Sequence, residues 1–93
     1  MVIGLLEMRL SMPGSHSLKD KRMVLRSLKD RVHNTFNVSI AEVAAHDRWR
    51  AAQLAAAVVS VDRTHAHQIL ESVVKYVEGR GDAVLLDYQI QML

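Results

Sequence analysis

The first twelve residues alternate. Val2, Gly4, Leu6, Met8, Leu10 and Met12 fall on one side of an extended chain, and Ile3, Leu5, Glu7, Arg9 and Ser11 on the other. That period of two predicts a β-strand with one buried face. "PGSHS" interrupts it, and Ser17 followed by Asp20 makes an N-cap pair opening a helix, with Asn34 near its stop. Leu18, Val24, Leu25, Leu28 and Val32 form that helix's apolar stripe. "FNVSIAEVA" (36–44) predicts a second strand, "HDRWR" (46–50) a polar connection, and "AAQLAAAVVSVD" (51–62) a third strand. The inward face of the third strand is ambiguous, because both of its alternating sets are apolar. Its alanines also suit a helix, but the cluster Val58, Val59 and Val61 favours a strand. Asp62 or Thr64 caps a second helix, in which Ala66, Ile69, Leu70, Val73, Val74 and Val77 recur at helical spacing before Gly79 ends it. The last strand sets Val84, Leu86, Tyr88, Ile90 and Met92 against Asp87, Gln89 and Gln91.

The order β-α-β-β-α-β predicts an α+β, ferredoxin-like fold, with two helices covering one face of a four-stranded antiparallel sheet and residues 1–93 forming a single domain. Ninety-three residues suffice for one modest core and leave no second lobe to enclose a deep catalytic cleft. With 49% hydrophobic and 24% charged residues the composition is that of a folded globular domain. The absence of cysteine excludes a disulfide framework, a thiolate metal site and a thiol nucleophile. "MVIGLLEMRLSM" lacks the basic start and small-residue cleavage site of a secretory leader. No apolar run reaches the length of a membrane span, since Glu7, Arg9 and Asp62 interrupt the candidates. The expectation is a cytoplasmic protein without membrane attachment.

Net charge is only +2, but it is segregated. Residues 17 to 36 hold Lys19, Lys21, Arg22, Arg26, Lys29 and Arg31 against Asp20 and Asp30, a local +4 that leaves −2 elsewhere. At 100° per residue Lys19, Arg22, Arg26, Lys29 and His33 lie in an arc of roughly 80°, away from the apolar stripe. Like-charged neighbours three and four residues apart each cost a helix about 0.2 to 0.5 kcal/mol. Cations in the first turn oppose the helix dipole by about 0.3 to 1 kcal/mol each. A solvated helix face explains a basic run in general, but selection for stability alone would place acids at the start. The row therefore predicts an external polyanion, and its length suits a nucleic acid backbone better than a small phosphate compound. An anion at the helix start would draw together the first-turn N–H groups, Ser15, His16, Ser17 and Lys21. Lys21 lies within the apolar arc, so its stem either covers the core edge or bends toward that loop.

"SLKDKR", "SLKDR", and "FNVSIAEV" followed by the tryptophan of "DRW" closely resemble the signature of the YlxP-like family of small bacterial proteins, a domain of unknown function, and the similarity runs the whole chain. The resemblance implies a ferredoxin-like fold. Because members are often encoded beside translation initiation and ribosome maturation factors, it also suggests a connection with RNA or the ribosome. It brings no catalytic residues to carry over.

Other residues offer weaker chemistry. Trp49, between Arg48 and Arg50, suits stacking on a base or a partner surface, or covering the end of the core. RNA-recognition motifs on this fold read bases with aromatics on the open sheet face, where the first strand here offers Glu7, Arg9 and Ser11. No GxxG loop is present, so RNA contacts would be with phosphate and shape. His65 and His67 are two residues apart, whereas a helical ligand pair wants a spacing of four, and no metal or cofactor is expected. His16 reads as an exposed loop histidine or an anion donor. The loop "MPGSHS" lacks the arginine of acylphosphatases, and no catalytic constellation is defensible. On the open sheet face Ile3 and Leu5, with Leu85 and Leu93, suggest self-association as a homodimer. The leading expectation is a non-enzymatic RNA- or ribosome-associated accessory protein. The alternatives are a self-associating protein-interaction module and, behind it, an enzyme or sensor for a phosphate compound.

Overall fold

A computed structural model describes all 93 residues. β1 (Val2–Ser11), α1 (Leu18–Thr35), β2 (Ser39–Ala44), β3 (Ala51–Ser60), α2 (Arg63–Glu78) and β4 (Val84–Met92) follow in the expected order. The strands pair antiparallel in one sheet, β2-β3-β1-β4, with the two helices against its inner face: the ferredoxin-like arrangement.

The core grows from β1, whose Leu6, Met8 and Leu10 are buried, as is Met12 just beyond it. β3, ambiguous by pattern, turns Ala52, Leu54, Ala56 and Val58 inward, opposite Leu10, Met8, Leu6 and Gly4. Apart from the Met8–Leu54 pair, small residues on one strand sit beside larger ones on the next, and Leu25, Leu28 and Val32 of α1 and Leu70, Val73, Val74 and Val77 of α2 close over them. At Gly4 a Cβ would lie 2.9 Å from Leu70 Cδ1 and 3.2 Å from Val58 Cγ1, so the missing side chain lets α2 descend onto β1.

Element ends depart from the pattern for local reasons. α1 runs to Thr35, one residue past Asn34, and Phe36 closes it by donating its N–H to the Val32 carbonyl at 2.8 Å. β2 therefore begins at Ser39 rather than Phe36, whose ring instead meets Tyr76 edge-on at 5.7 Å. β3 stops at Ser60 because Asp62 is the N-cap of α2, accepting from the Thr64 N–H at 2.9 Å.

The last strand corrects a simple alternation. Ser11 faces Val84 and Leu10 faces Leu85, but Arg9 faces Asp87, so Leu86 is a bulge residue without a partner. Leu85 consequently packs against the core, while Val84 and Leu86 are exposed. Arg9 Nε and Nη2 each donate to the Asp87 carboxylate at 2.8 Å, a bidentate contact across the strands directly beside the shift. β2 carries a similar shift: Glu42 faces Leu54 and Ala44 faces Gln53, with Val43 bulged. No helix is long and apolar enough to cross a membrane.

Candidate functional site

α1 presents Leu25, Leu28 and Val32 to the sheet, and the basic row rises on its flank about 110° away. Lys19, Arg22, Arg26 and His33 are exposed and Lys29 is half-buried. Lys19 to Lys29 covers about 15 Å of helix axis. Three ion pairs exist in the molecule, Arg9–Asp87, Lys21–Glu42 and His67–Glu71, and none involves the row. Four permanent charges thus stand on one flank without a carboxylate partner. His33 extends the row differently: its Nδ1–H donates to the Val38 carbonyl at 3.2 Å, tying the end of α1 to the segment entering β2.

Lys21 is not part of an anion site, contrary to the sequence expectation. Its residue is 1% exposed, and its Nζ lies 2.8 Å from Glu42 Oε2 and donates to the Ala45 carbonyl at 2.6 Å. Glu42 alternates with Ile40 on the inward side of β2, which puts its carboxylate beneath α1. That oxygen has no hydrogen-bond donor, so the Lys21 charge 2.8 Å away is what balances it. A lysine in an apolar helical arc and a glutamate in the inward set of a strand were both visible in the sequence. Read together they signal a buried pair, and that signal was missed.

The loop before α1 is likewise engaged with itself. Ser17 Oγ accepts from the Asp20 N–H at 3.0 Å, and Asp20 Oδ2 accepts from the His16 N–H at 3.0 Å, a near-capping-box exchange. Ser15, 3% exposed, gives its hydroxyl to the Ser17 carbonyl. The protein's own carboxylate thus sits where an anion was expected: the Ser15 and Ser17 hydroxyls and the His16 backbone N–H serve the cap, while Lys21 is engaged by Glu42. Support for a small phosphate ligand there goes with that expectation.

Arg48, Trp49 and Arg50 lie in the segment between β2 and β3, and the structure brings that segment to the first turn of α1. The Ala45 carbonyl accepts from both Lys21 Nζ and the Arg48 N–H, the latter at 3.1 Å. Arg50 Nε donates to the Ser15 carbonyl at 3.0 Å, and the Arg50 carbonyl accepts from the Met12 N–H at 2.9 Å. Trp49 itself is 52% exposed and stands apart from the packed cluster, so it does not cover the core.

On the open sheet face Ile3 and Leu5 are partly buried among neighbouring strands, whereas Val59, opposite Ile3, is 67% exposed. Leu93, whose N–H donates to the Ile3 carbonyl, is 71% exposed, and Leu85 has left this face for the core. Beside them Arg9 and Asp87 neutralise each other: their hydrogen bonds hold the Asp87 carboxyl below its usual range and raise the Arg9 guanidinium. At the far end of α2, the Arg80 guanidinium lies 3.9 Å over the Tyr76 ring. No group of three or more histidine, aspartate or glutamate side chains is placed to hold a metal ion.

Comparison with known proteins agrees with this architecture in extent. A family profile described as "Protein of unknown function (DUF503)" matches residues 3–90. The uncharacterized protein YlxP of Bacillus subtilis (strain 168) is 35% identical over 78 residues, which is 84% of this chain and 85% of that protein. With a match from the second residue of β1 to the seventh of the nine residues of β4, this chain belongs to the DUF503 family.

Proposed function

We propose that this protein is a non-enzymatic accessory factor that docks on the phosphate backbone of structured RNA, free or within a ribosomal subunit, through Lys19, Arg22, Arg26 and Lys29. The observation that carries this reading is the row itself: four cations on one helix flank, none neutralised by a carboxylate of the same molecule. Such a row is a net cost to an isolated helix and becomes useful where phosphates release their counterions to it. Four contacts correspond to a slope of log K against log salt of about −2.8 to −3.6. Raising salt fourfold, from about 50 to 200 mM, should then weaken binding roughly fifty- to 150-fold. Co-sedimentation with ribosomal subunits, or filter binding of a structured RNA at the two salt concentrations, measures this directly. An Arg22→Glu plus Arg26→Glu variant should lose binding while keeping its circular dichroism spectrum. Unchanged binding by that folded variant would refute the reading.

A second reading rests on a different face. The exposed Val59 and Leu93, with Ile3 and Leu5 between them, form an apolar strip on the open sheet that suits self-association. Sedimentation equilibrium of the wild type against Ile3→Lys and Leu5→Lys decides it: a mass that is monomeric in all three leaves the strip without a partner copy.

A further inference from the structure

We propose that Trp49 is a stacking platform for one unpaired nucleobase, placed at the N-terminal end of the cation row. The preferred ligand is then an RNA with a single-stranded, looped or bulged nucleotide beside the backbone segment that the row holds. This rests on the RNA reading above and adds the kind of RNA to it.

Three observations converge on the indole. It is the protein's sole tryptophan, half exposed, and the core closes without it. An apolar surface of that size left in water is a standing cost, relieved when another flat apolar surface covers it. The chain around it is nevertheless held at both ends. Ala45 is in the left-handed region at φ 63°, an unfavourable conformation for a residue with a Cβ, and its carbonyl is gripped by a buried lysine ammonium and the Arg48 N–H. On the other side, Arg50 bonds through its guanidinium to Ser15 and through its carbonyl to Met12. The backbone is pinned while the ring between the pins stays free, so a partner would meet a surface already ordered.

The third observation is position. Lys21, which pins Ala45, lies on the first turn of α1 with Lys19 and Arg22, so the bond that orders the tryptophan segment fastens it at the level of the helix where the row begins, on the buried side about 100° around from Arg22. Arg48, exposed and without a carboxylate partner, directly precedes Trp49 in the chain. A flat π-surface beside unneutralised cations matches a nucleotide, which offers a base for the one and a phosphate for the other. A fully paired duplex keeps its bases stacked internally and can satisfy only the cations. The exposed aromatic of the sheet, Tyr88, lines a shallow cavity with Glu7, Arg9, Gln53 and Asp87, where Glu7 and Asp87 oppose a phosphate.

Because Trp49 is the sole tryptophan, its emission reports on the site directly. The full chain is titrated at fixed salt with two RNAs of equal phosphate number, a hairpin with an unpaired loop and a blunt fully paired duplex. The indole should be quenched by the hairpin and not by the duplex. Trp49→Ala should weaken hairpin binding about tenfold, leaving duplex affinity and the salt slope unchanged, and Trp49→Phe should restore most of the loss. Equal quenching by both RNAs, or a Trp49→Ala variant with the wild-type preference, overturns the platform while leaving the cation row intact. If the wild type binds neither RNA, both readings fall together. An emission that shifts with protein concentration alone assigns the indole to a contact between copies, and also overturns the proposal.

Discussion

Replacing Lys21 by methionine removes the charge while keeping most of the side-chain volume. In the folded protein the Lys21 side chain is 2% exposed and that of Glu42 18%, their charged atoms 2.8 Å apart, with no hydrogen-bond donor on that glutamate oxygen. Removing one member of a buried pair costs about 3 to 5 kcal/mol, because the other charge is left uncompensated. Glu42 keeps some access to water, which places the expected loss for Lys21→Met near the lower bound, about 3 kcal/mol. The unfolding entropy of a chain this size, about 0.2 kcal/mol per kelvin, converts that to a fall in Tm of about 15 °C. Glu42→Leu alone should also destabilise, since the buried ammonium then keeps only the Ala45 carbonyl. The double variant Lys21→Met/Glu42→Leu should recover most of the stability, because an apolar pair of similar volume replaces the ionic one without stranding a charge. Urea and thermal unfolding of all four proteins, followed by circular dichroism, give the coupling energy, expected at about 2 kcal/mol or more. A Lys21→Met loss below about 1 kcal/mol, or single losses that simply add in the double variant, would show that the pair does not hold α1 to β2 as described.

Two further outcomes follow from other contacts. Gly4→Val should destabilise by about 1 to 3 kcal/mol in urea unfolding, because the new Cβ meets Leu70 Cδ1 at 2.9 Å and its methyl groups must enter a filled layer; unchanged stability would mean that α2 does not rest on β1 there. Asp87 is held below its usual carboxyl range chiefly by the hydrogen bonds from Arg9, so its contribution is present above the ordinary aspartate pKa and is lost as pH falls through the lowered folded value. A carbon-detected NMR titration should place the Asp87 midpoint below the ordinary aspartate value, and Arg9→Gln should bring it back; a midpoint that ignores Arg9 would remove the pair as the cause.

Period-two and helical patterns located all six elements, and the basic row, because these depend on one residue's relation to its near neighbours. The errors cluster where two distant segments decide together. The inward face of β3 depends on which alanines meet the large side chains of β1, and the placement of Leu85 and Leu86 depends on a register shift opposite Arg9. Lys19 and Lys21 look alike as charges, yet one is exposed and the other is buried against a glutamate more than twenty positions away. The loop around Ser15 is rich in donors, but it also carries its own acceptor: Asp20, half of the cap, fills the site that the donors would offer to an anion.

The unpaired residues Leu86 and Val43 bear on a hazard common to alanine- and valine-rich sheets. β2 and β4 are the outermost strands, and each is interrupted by one extra residue that breaks the regular spacing of its amide and carbonyl groups. A neighbouring molecule trying to continue the ladder would lose step within a few residues on either border. The two kinks therefore act as stops against templated fibre growth, and the interior can stay rich in small, sheet-prone residues.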